Sequence, residues 1–325
     1  MDRLPGDLGR SDAGLDGEEP AALPLGNATP REAEDLLVDR ARARLQVPER
    51  LLHLAELEVL HDADTRALWT FMRPAGRPSF TPAMLGDFEL WQQLIGSHFG
   101  PGRVPLDYLI LGSRARGVFC FGGDLELFAQ LINQGDRAGL AAYGYRCVEI
   151  LHRNWRALDL PMLTVGLVQG QALGGGFEAL LSFDFIIAER DATFGLPEVM
   201  FGLFPGMGAH VLLSHKLGAA QADRMILSNR TWTAAELHEL GLVTELADPG
   251  EGVDAVRKFM ARSSRRHPGM VNAMRASRVA SAISLQDLRD VVDLWADAAL
   301  QLSAADLKLM RRLATTQARL HAHAA

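Results

Sequence analysis

Apolar and polar positions along the chain switch between helical and strand-like spacing. A helical pattern covers residues 31–60, broken at Pro48, and residues 66–72 (Arg-Ala-Leu-Trp-Thr-Phe-Met) read as a strand that stops at Arg73-Pro74. Thr81 is placed to cap a helix that opens at Pro82, runs to about Phe99 and ends at Gly100-Pro101-Gly102. The pattern then repeats: a buried strand at 106–111, a long helix over 125–158 and a strand at 162–168. A glycine turn at 174–176, a short helix and a strand at 183–188 follow. Such alternation implies βα units with parallel strands at their centre. From Gly206 onward the chain reads as almost entirely helical, with a short break at 242–246. Thr233 with Glu236, Ser284 with Asp287 and Ser303 with Asp306 have capping-box spacing, and Gly241 is a helix stop. The fold class expected is α/β, an alternating core followed by a helical C-terminal region.

Composition adds boundaries to this picture. The 325 residues are 48% hydrophobic and 22% charged, enough apolar content for a sizeable core. Basic residues number 33 against 40 acidic, a net charge of −7, which argues against a generally basic nucleic-acid binder. Cys120 and Cys147 are the only cysteines, so neither a disulfide framework nor a cysteine zinc ribbon is expected, and the histidines lack metal-ligand spacing. The longest apolar runs, 106–111 and 163–168, fall well short of the ~20 residues of a membrane helix. Residues 1–32, rich in Gly, Pro, Asp and Glu, read as a flexible arm without a secretory core. A cytoplasmic protein with no membrane insertion is expected. The divisions that follow are the arm at 1–32, a helical extension at 33–64, a core at 65–265 and a helical region at 266–325.

Two stretches carry candidate chemistry: Phe119-Cys-Phe-Gly-Gly-Asp124 and Gly170-Gln-Ala-Leu-Gly-Gly-Gly-Phe-Glu178. Each places glycines after a predicted strand and before a helix, where the backbone can turn sharply and leave an N–H open to a ligand. Two such loops on neighbouring strands could aim two N–H groups at one carbonyl oxygen, an oxyanion hole. The plainer reading is that the glycines permit close helix–strand packing. A dinucleotide fingerprint fits poorly, because the Gly-Gly-Gly run lacks spaced glycines and Glu198 follows Pro197 in a turn. Glu178 and Glu198 both stand among apolar neighbours, which would raise their pKa values and suit acid/base work near neutrality.

Gly-Gly-Gly-Phe-Glu178, followed by Gly-Leu-Pro-Glu198-Val, resembles the active-site signature of the crotonase (enoyl-CoA hydratase) superfamily, and Phe-Gly-Gly-Asp124 is similar to its first oxyanion loop. The resemblance implies a crotonase-like ββα spiral core. It implies oxyanion donors at Gly123 and Gly175, with Gly122 and Gly174 beside the substrate. It makes Glu178 and Glu198 an acid/base pair. A narrower similarity links residues 167–179 and 195–208, with Gly122-Gly-Asp-Leu-Glu-Leu-Phe128, to the diffusible signal factor synthases. That branch implies a lyase with thioesterase activity. It would dehydrate a 3-hydroxyacyl thioester, on acyl carrier protein or coenzyme A, to the cis-2-enoyl form and then release the free cis-2-unsaturated acid as a quorum-sensing signal. No metal or other cofactor is implied. The branch implies a sensor-kinase receiver domain as a partner and a homotrimer or hexamer as the assembly.

Further candidates are weaker. Leu288, Val292, Trp295, Ala299 and Leu302 recur at helical spacing, most simply as core or subunit interface. The resemblance adds that Trp295 and Leu313 line an acyl tunnel. Lys258, Arg262, Arg265, Arg266 and His267 form a basic cluster, either a solvated helix end or a patch for an acidic carrier protein or coenzyme A phosphates. Arg114 and Arg116 could approach a phosphopantetheine. Two other functions stay open: ordinary hydration of trans-2-enoyl-CoA, and a regulatory binding protein that retains the acyl pocket.

Overall fold

A computed structural model describes residues 47–324. The arm expected at 1–32 and the part of the helical pattern at 31–46 lie outside these residues. The molecule is a mixed α/β structure in which two largely parallel sheets are wrapped by helices and a helical C-terminal region follows.

The larger sheet has six strands in the order β1–β2–β3–β5–β7–β10: Leu57–Asp62, Ala67–Met72, Tyr108–Ser113, Leu163–Val168, Phe185–Glu189 and Glu245–Ala247. β1 and β2 are antiparallel; every other neighbouring pair is parallel. Strand alternation sends successive side chains to opposite faces. Trp69, Phe71, Tyr108, Ile110, Val165 and Leu167 face helices α9 (Gly252–Ser263) and α10 (His267–Ala280), and Leu68, Met72, Leu109 and Leu111 face the other core. That other core is closed by α2 (Pro82–His98) and α4 (Arg137–Trp155). Coverage on both faces explains why β2 and β5 are buried along their whole length and are apolar except at Thr70 and Thr164. The smaller sheet has the order β4–β6–β8–β9, Val118–Cys120, Gln171–Leu173, Thr193–Gly195 and Thr231–Thr233, with β4, β6 and β8 mutually parallel.

Three local expectations are corrected. The helical pattern through residue 60 ends at α1 (Glu49–Leu52), and β1 is a strand, because pairing with β2 from Leu57↔Met72 to Asp62↔Ala67 outweighs local periodicity in a short apolar segment. The helix expected over 125–158 is two, α3 (Leu125–Gln134) and α4. Gly135 takes a left-handed φ of 65° and ends the first, and the Asp136 side chain caps the second through Gly139 N–H. The break expected at 242–246 leads into β10, which pairs in parallel with β7, and β9 is a further strand in the region read as helical. Of the expected capping boxes, those at Thr233 and Ser303 form on both sides, and that at Ser284 forms on one side only. Thr233 and Glu236 form a reciprocal box on α8 (Ala234–Glu239), Ser284 caps α11 (Leu285–Ala299), and Ser303 pairs with Asp306 at the start of α12 (Ala304–Ala324).

Candidate active site

Because β4, β6 and β8 are parallel neighbours, their C-terminal ends lie along one edge, the place where parallel sheets leave room for a ligand. β4 runs into Phe121-Gly122-Gly123-Asp124, β6 into Gly174 and helix α5 (Gly175–Leu180), and β8 into a 3₁₀ turn, Glu198–Phe201. Segments distant in the chain are thereby delivered to one point.

The first loop is held from behind by residues 77–80. Phe80 N–H donates to Gly122 C=O (2.8 Å), Phe121 N–H to Pro78 C=O (2.7 Å), and the Arg77 guanidinium to Gly123 C=O (2.7 Å). Tyr143 ties the same segments: its hydroxyl donates to Phe80 C=O (2.5 Å) and accepts from Asp124 N–H (3.3 Å). The Asp124 side chain caps α3. With both flanking carbonyls engaged, the peptide planes around Gly123 are fixed, and Gly123 N–H has no hydrogen-bond partner among the described residues.

The second loop meets the first directly. Gly122 has φ 88°, and a Cβ there would lie 2.5 Å from Gly175 N. The three glycines 174–176 each face a different neighbour: a Cβ would run into Glu198 Oε1, Met207 Sδ and Cys120 C=O respectively. Close packing and site formation are therefore the same requirement here. Gly175 N–H, the first of α5, is also without a partner among the described residues.

Glu178 sits one turn into α5, 1% exposed. Its Oε1 accepts from Met207 N–H and Ala209 N–H, 2.9 Å each, so the backbone entering α6 (Ala209–Leu217) clamps the carboxylate. Burial pushes its pKa up to about 7 against the pull of those two donors. Glu198 opens the turn after β8. Its Oε2 is buried and has no hydrogen-bond partner among the described residues. Burial, and then the neighbouring Glu178 charge, hold its pKa well above the ordinary carboxylate range. Two carboxyls pushed upward in one enclosure can share a proton near neutrality, the condition for acid/base exchange.

Both glutamates line one cavity of about 580 Å³, counting its mouth, together with Gly123, Gly174, Gly175, Trp295 and Leu313. The structure thus gathers these seven sequence-predicted positions, and Gly122 backs them through its contact with Gly175. Trp295 lies edge-on to Phe128 with ring centres 4.9 Å apart, and Leu288, Val292 and Ala299 of the same stripe are buried core. The basic residues do not join the site. α9 packs across the larger sheet from the cavity, Arg262 pairs with Glu245 (2.6 Å), and His267 is buried with Nε2 on Asp107 C=O (2.8 Å). Arg114 pairs with Glu58 (2.9 Å) and lies over the Phe71 ring; Arg116 is exposed. Sequence reasoning missed Arg77, Tyr143, Met207 and Gln317, the last three of which line the cavity. Only Met207 carried a local signal, in the glycine-flanked Gly206-Met207-Gly208. No helix among the described residues is long and apolar enough to cross a membrane.

Among solved structures, the chain is similar to Pseudomonas aeruginosa DspI, at 23% identity and TM-score 0.60 over 75% of this chain and 93% of that one. It is similar to an enoyl-CoA hydratase from Bacillus halodurans, at 19% and 0.65 over 79% and 98%. An enoyl-CoA hydratase/isomerase from Xanthobacter autotrophicus Py2 superposes at 19% and 0.66 over 83% and 96%. At these identities the likeness establishes the fold. A fatty acid oxidation complex subunit alpha from Idiomarina loihiensis is 33% identical over 141 residues, which are 43% of this chain and 19% of that protein. The chain therefore spans about a fifth of that relative's length. Residues 106–314, more than half of the chain, match the enoyl-CoA hydratase/isomerase family model. With that match and the two-glycine-loop, two-glutamate site in place, the chain belongs to the enoyl-CoA hydratase/isomerase family, the crotonase superfamily.

Proposed function

We propose that this chain dehydrates a 3-hydroxyacyl thioester to the cis-2-enoyl thioester and then hydrolyses it, releasing a cis-2-unsaturated fatty acid. The observation that carries the reading is the placement of Glu178 and Glu198 in one enclosed cavity with the unengaged N–H groups of Gly123 and Gly175. Removal of a C2 proton builds negative charge on the thioester oxygen, and the two amides offset it, each worth roughly 10²–10³ in rate. One carboxylate takes the C2 proton while the other, protonated, gives its proton to the departing 3-hydroxyl, which leaves as water. The pair begins and ends with one proton, moved from one glutamate to the other. The two N–H donors on Glu178 favour its ionised form, and the unpartnered oxygen and the Glu178 charge favour the protonated form of Glu198. In the second half, an ionised glutamate draws a proton from water as its oxygen attacks the same carbonyl. The same amides hold the tetrahedral oxyanion, and the thiol leaves with a proton. The acyl group arrives on acyl carrier protein or coenzyme A, and no further cofactor enters these steps. The chain works as a homotrimer or hexamer, with exposed Val279 and Leu294 on the C-terminal helices as candidate contacts; sedimentation of the purified protein measures this.

Family membership favours a second reading, ordinary hydration of trans-2-enoyl-CoA. Incubation with 3-hydroxydodecanoyl-acyl carrier protein, and separately with its coenzyme A thioester, separates the two by mass spectrometry. Free cis-2-dodecenoic acid, lost in Glu178→Gln and Glu198→Gln, is expected. A trans-2-enoyl thioester left intact would establish the hydratase. No turnover on either carrier would leave a binding protein with a retained pocket.

A further inference from the structure

Beside the catalytic cavity lies a second, narrow pocket, about 440 Å³ with its open mouth included, lined by residues of α2, α4 and α5 and by Leu111 of β3. Met207 lines both cavities. The wall is apolar, with Phe80, Phe88, Trp91 and Leu151, except at one place. There Gln92 and Asn154, each 4% exposed, line the pocket with their amide side chains. Gln92 Nε2 donates to Ile150 C=O (2.9 Å), and Asn154 Nδ2 donates to Ser182 Oγ (2.8 Å), whose own proton goes to Ala179 C=O (2.6 Å). Both partners can only accept, so the amide orientations are fixed and the oxygens are left over. Gln92 Oε1 and Asn154 Oδ1 are buried with no partner among the described residues. Ile150 precedes Asn154 by one turn of α4, so the Gln92 amide docks one turn from Asn154.

Buried acceptors without partners are destabilising, and a pocket that presents them discriminates in favour of a ligand that supplies a donor. Met207, which lines both cavities, has an unbranched, adaptable side chain, and its backbone N–H donates to Glu178. We propose that the far end of the acyl chain passes Met207 into this second cavity, and that Gln92 and Asn154 accept a hydrogen bond from a hydroxyl carried there. The ligand class is an acyl thioester hydroxylated far from its carbonyl; the inference rests on the acyl-thioester reading above.

The test is calorimetric binding of butanoyl-, octanoyl- and dodecanoyl-CoA and of mid-chain and ω-hydroxylated dodecanoyl-CoA to the full chain. Dodecanoyl-CoA is expected to bind more tightly than octanoyl-CoA, and one hydroxylated isomer about tenfold more tightly than its parent. Gln92→Leu and Asn154→Leu are expected to shrink that hydroxyl preference to less than twofold. The wild-type series carries the test where either variant fails to fold. If butanoyl-CoA binds but neither added length nor any hydroxyl gains affinity, the proposal is overturned and the two oxygens belong to an internal water. If butanoyl-CoA itself does not bind, the thioester reading falls, and this one with it.

Discussion

Glu178 and Glu198 are held by different means, and their variants should differ accordingly. Gln at 178 keeps an oxygen to accept from Met207 and Ala209 N–H, so Glu178→Gln should fold while its turnover drops about 10²–10⁴-fold. It also removes a like charge beside Glu198. The upper limb of the pH–rate profile should therefore move to lower pH in the residual activity of Glu178→Gln, and an unmoved limb would mean that the two carboxyls do not interact. Gly122 tests the other half of the site. A Cβ there would need a left-handed backbone and would press on Gly175 N, so Gly122→Ala should lower kcat by about 10²–10³-fold through the displaced amide. Wild-type kcat in that variant would remove Gly175 from the oxyanion role. The residue types and the order of this site were legible because each glycine and glutamate sits at a strand end with a local signature. Arg77 and Tyr143 had none: they matter through contacts across the fold, on Gly123 C=O and Phe80 C=O.

At the scale of elements, the roof of the cavity depends on how closely α11 approaches α4. A Cβ on Gly144 would lie 2.5 Å from Val292, and one on Gly206 would lie 2.5 Å from Trp295, so two glycines on different elements receive two side chains of one helix. Gly144→Ala should therefore destabilise the chain by about 1–3 kcal/mol by overpacking, with Val292→Ala restoring part of the loss in the double variant. Urea unfolding of the four proteins measures the coupling; strictly additive effects would show that the helices do not meet there. The apolar stripe of α11 was readable from its spacing, but its partner face on α4 was not, since a glycine inside a helix carries no directional signal. The same limit accounts for β1. Its six residues are set by pairing with β2, information that lies outside the segment itself. By contrast, the division of the expected long helix rests on adjacent residues, Gly135 as a left-handed stop and Asp136 as the next cap.

For the molecule as a whole, placing two carboxyls inside an α/β core trades stability for function, and the pH dependence of unfolding should expose it. Glu178 titrates at about 7 in the folded chain against a usual value of 4.5, so between these limits the native state binds more protons than the unfolded state. The sign follows: its contribution is fully present below about pH 4.5 and is lost as pH rises through 7, roughly 3 kcal/mol at the limit. Buried His61 and half-buried His210, whose pKa values desolvation lowers, act oppositely: their contribution is present above the unfolded histidine value and is lost as pH falls. The net slope of the wild type therefore mixes both signs, and the informative quantity is its difference from Glu178→Gln. Unfolding free energies of the two proteins, compared at about pH 5 and about pH 8, should show the variant gaining on the wild type by a few kcal/mol at the higher pH. Parallel pH profiles would mean that burial does not raise the Glu178 pKa. Glu178 would then be an ordinary carboxylate, a weaker base for the C2 proton than the proposed exchange with Glu198 asks of it.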